Sequence, residues 1–179
     1  IYYDDTPNDG RNNPVWKTIA LVGLGAGGHG YFALDITNPQ SPTHLFAIEN
    51  DPTNQAVKHW DKDGFKNEFG YAGGSISANM DYRKLGEAWS TPRILRVKHS
   101  GKDKWVAVFG AGYNGSANPN YGSAVFVMDL EDEGRLLQKI DITDLSSSNI
   151  VNSVPADLTV ITANGTDKAN YNGAMVYAA

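Results

Sequence analysis

Four groups of residues in this 179-residue chain have types and spacings that suit chemistry. Gly23, Gly25 and Gly28 match GxGxxG directly after the run Thr18 to Val22. In dinucleotide-binding proteins that pattern starts a helix whose unpaired N–H groups hold a pyrophosphate. Asp61-Lys62-Asp63-Gly64, with Glu68 beyond it, opens like a calcium loop, in which alternate oxygens and a glycine turn wrap a hard cation. Asp4, Asp5 and Asp9 form an acidic group near the amino end, and His29, His44, His59 and His99 each offer an imidazole as base or ligand.

Each group needs an element to position it. After the glycines, Tyr31 to Thr37 is aromatic and β-branched and stops at Asn38-Pro39, so it reads as a strand and not as a phosphate-holding helix. Asp51, at the distance of a ribose-binding acid, sits beside a proline in a loop. The glycines therefore predict a β-hairpin connection with close backbone packing. Glu68 arrives too early for the bidentate acid of a calcium loop, so the Asp61–Gly64 stretch reads as a solvated turn. The histidines share no metal or triad spacing and read as surface or strand-end residues. Asp35 and Asp129, at matching strand ends, read as turn formers that accept backbone N–H bonds. No paired base and nucleophile emerges from these spacings.

Composition excludes several partners. The net charge is −5, and the densest basic group, Arg93, Arg96, Lys98, Lys102 and Lys104, reads as the solvated end of one hairpin, so nucleic acid is not expected. No run approaches the roughly 20 apolar residues of a membrane helix, so no membrane insertion is expected. Cysteine is absent, which removes disulfides and thiolate sites. Ile1 in place of Met leaves any leader or upstream domain out of view. Nineteen glycines, nine tyrosines and turn signals between short β-branched runs place the chain in the all-β class.

The positioning elements repeat. Ile19-Ala20-Leu21-Val22-Gly23-Leu24-Gly25 aligns without a gap on Val106-Ala107-Val108-Phe109-Gly110-Ala111-Gly112, after Trp16 and Trp105 respectively, and Phe32 to Ile36 aligns on Phe126 to Leu130. Ser90 to Val97 aligns on Ser153 to Val160, each strand being entered through a proline. The middle copy reads as strand A (Pro92 to Lys98), B (Trp105 to Gly110), C (Ser123 to Leu130) and D (Arg135 to Ile142). The first copy supplies B, C and D, with Thr43 to Glu49 as D, and the third supplies A and the start of B between Gly173 and Ala179. Repeated four-stranded antiparallel blades describe a partial β-propeller over residues 1–179 that ends inside a third blade. Two and a half blades cannot close a ring, so a fragment of a longer protein is expected. A loop-rich insertion, Asn50 to Gly86, joins the first two copies and includes a short helix expected over Thr53 to Trp60. Trp16, Trp89 and Trp105, at strand starts, read as core wedges between blades.

Several of these stretches, Trp16 to Pro39, Leu85 to Val97, Lys104 to Gly115 and the run from Ser123, resemble the carboxy-terminal β-propeller domain of the type IV pilus tip-associated adhesins of the PilC type. The resemblance implies a bacterial extracellular binding and assembly module at the pilus tip or outer cell surface. It implies minor pilins or the pilus tip and a host or surface receptor as partners, roles in pilus biogenesis, attachment and twitching, and no enzymatic activity. It also implies a calcium loop between strands A and B of one blade. The corresponding donors are Asn164, Thr166, Asp167 and Asn170, of which only Asp167 is a carboxylate, so weak calcium affinity is expected. Two other readings are a quinoprotein-type (PQQ) dehydrogenase propeller and a carbohydrate-binding propeller that uses the Asn50 to Gly86 insertion. The D strands place Phe46 and Leu137 where quinoprotein blades carry a tryptophan.

Overall fold

The computed structural model describes residues 2–4, 15–74, 76–114, 121–144, 153–162 and 174–178. Among them there are thirteen strands, three short 3-10 turns and no α-helix. Strands β1 (Tyr2–Asp4) and β2 (Val15–Lys17) pair as a small ribbon. The first leaflet is a five-stranded antiparallel meander in sequence order: β3 (Ile19–Gly23), β4 (Gly30–Asp35), β5 (Thr43–Asp51), β6 (Ala56–Asp61) and β7 (Gly64–Gly70). The second is the four-stranded meander β8 (Arg93–His99), β9 (Lys102–Gly110), β10 (Ala124–Asp129) and β11 (Leu136–Asp141). A third begins with the antiparallel pair β12 (Thr159–Thr162) and β13 (Ala174–Tyr177). The repeat read from the sequence thus corresponds to consecutive propeller blades. Even a register shift recurs, between Ala33 and Leu34 in β4 and at the aligned Val127 and Met128 in β10.

The insertion differs from its expected form. β6 and β7 occupy much of it and extend the first leaflet by a hairpin, and the helix expected over Thr53 to Trp60 is a strand from Ala56 onward. The reason is a period of two: Val57 and His59 are fully buried, whereas Lys58 and Trp60 are only partly so.

The leaflets stack face to face. Tyr31, Phe46, Ile48 and Val57 of the first share one core with Phe109, Phe126 and Met128 of the second, and Met80, Tyr82 and Leu85 of the connecting segment fill the space between them. Tyr31 and Phe109 pack with ring centroids 4.4 Å apart, and Phe109 and Phe126 at 5.7 Å. On its other face the second leaflet buries Val106, Val108 and Val125 against Val154 and Leu158 of the third. Because side chains alternate across a strand, every second residue of β9 and β10 faces each neighbour.

The glycine pattern is explained at the joints. Gly25 N donates to Ala88 O at 3.2 Å, and the aligned Gly112 N donates to Val154 O at 3.0 Å, each an antiparallel bridge to the chain entering the next leaflet. A Cβ on Gly23 would lie 2.4 Å from Ala88 O, and one on Gly110 would lie 2.2 Å from Val154 O. Only glycine admits that approach, and the positive φ of Gly25 and Gly112 (56° and 90°) reinforces the choice. The GxGxxG match is a leaflet joint.

Candidate functional site

The added hairpin builds the rim of a groove between the first two leaflets. In the β5–β6 turn, Asp51 accepts hydrogen bonds from Asn54 N (3.1 Å), Asn54 Nδ2 (2.7 Å) and Lys58 Nζ (2.6 Å). The Lys58 bond, followed by those from Asn54, holds the Asp51 carboxyl well below its usual range. Gln55 adopts φ 52°, and its carbonyl accepts the Tyr71 N–H at 2.8 Å, which ties the far end of β7 back to the turn.

One buried amide fixes the opposite wall. Asn50 is 1% exposed, and its Nδ2 donates to Leu85 O at 2.7 Å and to Arg83 O at 3.2 Å, while its Oδ1 accepts the Tyr71 hydroxyl. Burial pushes the Tyr71 phenol up to about 12, so it stays protonated and donating. Beside it, Asp81 receives Arg83 Nε at 2.8 Å, Arg83 Nη2 at 3.0 Å and Lys139 Nζ at 2.6 Å. Burial alone would raise the Asp81 pKa, but these charged donors outweigh it and hold the carboxyl at about 2. Lys84 Nζ lies 3.5 Å from Asp141 Oδ2, and Gly122 N donates to Lys84 O at 2.6 Å. The result is a groove of about 400 Å³ in which Arg83, Lys84 and Lys139 meet Gln55, Tyr71 and Tyr121. Such an arrangement can bind; it holds no paired nucleophile and base.

The residues singled out in the sequence fare differently. Asn164, Thr166, Asp167 and Asn170 lie outside the described residues, as do Asp5 and Asp9. Asp61-Lys62-Asp63-Gly64 is the tip of the β6–β7 hairpin: Asp61 Oδ1 accepts Asp63 N at 2.8 Å, and Asp61 Oδ2 pairs with Lys66 at 3.1 Å. Among the described residues no three acids, histidines or cysteines converge on a metal position. Asp35 accepts Thr37 N and Asp129 accepts Glu131 N, both at 2.9 Å, as expected of turn formers.

Two expectations are corrected. His59 is no surface residue: it is fully buried on the inner face of β6, with Nε2 3.0 Å from Glu133 O of the second leaflet, and burial pushes its pKa down. Trp89 is no core wedge: it is 53% exposed, its ring lies over Gly25 and its Nε1 donates to Glu87 at 2.9 Å. Sequence reasoning passed over Tyr71, Arg83, Lys84, Tyr121 and Lys139. Their separations along the chain fit no local motif, and their common signal was membership of, or contact with, an insertion rich in polar and aromatic residues.

Comparison with known proteins gives a consistent picture. The family model for the PilY1 beta-propeller domain matches residues 8–176. The chain is 32% identical over 143 residues to the type IV pilus biogenesis factor PilY1 of Pseudomonas aeruginosa strain UCBPP-PA14, an alignment covering 79% of this chain and 9% of that protein. It is 27% identical over 146 residues to the PilY1 homolog of Xylella fastidiosa strain Temecula1, covering 80% of this chain and 8% of that protein. The chain therefore spans less than a tenth of the length of these relatives. No solved structure matches it significantly.

Proposed function

Because the chain belongs to the PilY1 β-propeller family, we propose that it is a non-enzymatic binding and assembly module of a type IV pilus biogenesis factor, acting at the pilus tip or outer cell surface. The observation that carries this reading is the match over residues 8–176, which runs through all three leaflets. The relatives are named as pilus biogenesis factors, and no helix among the described residues is long and apolar enough to cross a membrane. Minor pilins or the pilus tip on one side and a surface receptor on the other are the partners this role requires. Pilus extension, surface attachment and twitching are the processes it would serve. The same match favours this role over a quinoprotein dehydrogenase. Calcium is not given a part in it, since Asn164, Thr166, Asp167 and Asn170 offer a single carboxylate, a donor set that does not suit tight calcium binding.

The test is replacement of residues 1–179 in the full-length protein by a flexible linker in the bacterium that makes it, with surface pili and twitching measured after immunoblotting confirms that the protein reaches the surface. Loss of pili or of twitching is the expected result. Normal piliation, motility and attachment would overturn the reading.

A further inference from the structure

The groove between the first two leaflets has a composition that selects a ligand class. Tyr71 and Tyr121 line it with aromatic rings, the Tyr71 hydroxyl being taken by Asn50, and Gln55 supplies both a donor and an acceptor. Arg83 uses Nε and Nη2 on Asp81, and its remaining donors sit on a side chain that is 46% exposed. Lys84 and Lys139 are 23% and 22% exposed, partly withdrawn from water. Three cations stand against two carboxylates, Asp81 and Asp141, on a chain whose net charge is −5. The local excess of positive charge thus runs against the global sign. Polar groups of both signs line the groove, and the edge strand β11 contributes Lys139 and Asp141 to it, so an acidic peptide is the competing occupant that the titration below separates. Hydroxyl and carboxylate groups on a rigid ring suit this mixture: the Arg83 donors not used on Asp81 suit a carboxylate, Asp141 and Gln55 suit hydroxyls, and the tyrosines suit a pyranose face.

We propose that this groove binds an acidic saccharide of the hexuronate class, the carboxylate seated at Arg83 and Lys139 and the ring against Tyr121. The inference rests on the surface-binding part of the proposed function and gives that part a ligand. The first two leaflets and their connecting segment supply the described lining residues of the groove. Its wall is preorganised by the buried Asn50 amide and by Asp81, which limits the ordering cost of binding.

The experiment is calorimetric titration of the full-length protein with tetragalacturonate, with neutral galactotetraose and with a tetraglutamate peptide. Tetragalacturonate should bind at least tenfold more tightly than either other probe. Arg83→Gln should weaken it tenfold or more, and Tyr121→Ser, a change outside the Asp81 ion-pair cluster, should weaken it severalfold with the thermal midpoint unchanged. Lys62→Gln, at the exposed hairpin tip, should leave it unaffected. Equal affinity for the neutral sugar, stronger binding of the peptide, or full affinity in both groove variants would each overturn the proposal. Failure here with loss of pili on domain replacement sinks the ligand and spares the assembly role. Uronate binding with normal pili does the reverse.

Discussion

The first and second leaflets are built from the same repeat, yet aligned positions sit in different surroundings. Val22 is 40% exposed and Leu24 43%, whereas their counterparts Phe109 and Ala111 are fully buried. Phe32 and Leu34 are half-buried, whereas Phe126 and Met128 are fully buried. The alternation of side chains explains the contrast. These positions point toward the preceding leaflet, and the second leaflet has one while the described residues place none on that face of the first. The repeat therefore encodes two sticky faces per leaflet, and burial is a property of the stack.

The largest effect should come at the joints. A Cβ at Gly112 would lie 2.0 Å from Glu87 O, with φ at 90°, whereas at Gly25 the nearest atoms belong to the exposed Trp89 ring at 3.7 Å, with φ at 56°. Gly112→Ala should therefore cost about 4 kcal/mol or abolish folding, and Gly25→Ala only about 1 kcal/mol. Urea unfolding of the two variants reads the difference, and equal costs would remove the case that these glycines are joints of unequal tightness.

Next comes the core. Phe126→Ala should cost about 4 kcal/mol, within the range for buried aromatic truncation, and Phe32→Ala about half as much, since its face is only partly covered. The same pair measured in the full-length protein sharpens the comparison: where a leaflet covers the first face, the gap closes. A gap that persists there would mean that the face stays open.

A third pair sits at the aligned strand ends. Asp35 makes one exposed turn bond, so Asp35→Ala should cost about 1 kcal/mol. Asp129 makes the same bond but is 2% exposed and holds Lys104 at 3.0 Å, so Asp129→Ala should cost about 3 kcal/mol. Asp129→Asn keeps a turn acceptor and should recover part of that loss in thermal melts.

The sequence showed this much of the fold because alternation and turn chemistry act locally. The strands of the second leaflet were legible to within a few residues, as was the role of Asp35 and Asp129. The turn at Asp61 to Gly64 was legible, but the β6 and β7 strands that flank it were not, because Asn54, Gln55, Ala56 and Lys58 mix helix-tolerant types. The groove was invisible for another reason. Residues 55, 71, 83, 121 and 139 meet only when two leaflets stack, and no local pattern reports a distance set by packing.

The smallest effect tests the joint through pH. Asp81 belongs to neither leaflet; it lies on the connecting segment and ties Lys139 of the second leaflet to Arg83 beside the first. Its carboxyl, near 3.8 when unpaired, is held at about 2 in the fold. The sign follows from linkage. A carboxylate with a depressed folded pKa contributes stability that is present above about 3.8 and lost as the pH falls toward 2. The full contribution is at most about 2 kcal/mol from a shift of that size. Wild-type protein should therefore lose stability across that acid window, and Asp81→Asn, already lacking the charge, should show a shallower decline there while being less stable at neutral pH. Parallel pH profiles would place the acid sensitivity elsewhere and leave the leaflets tied by packing and by neutral bonds such as that of His59 to Glu133 O.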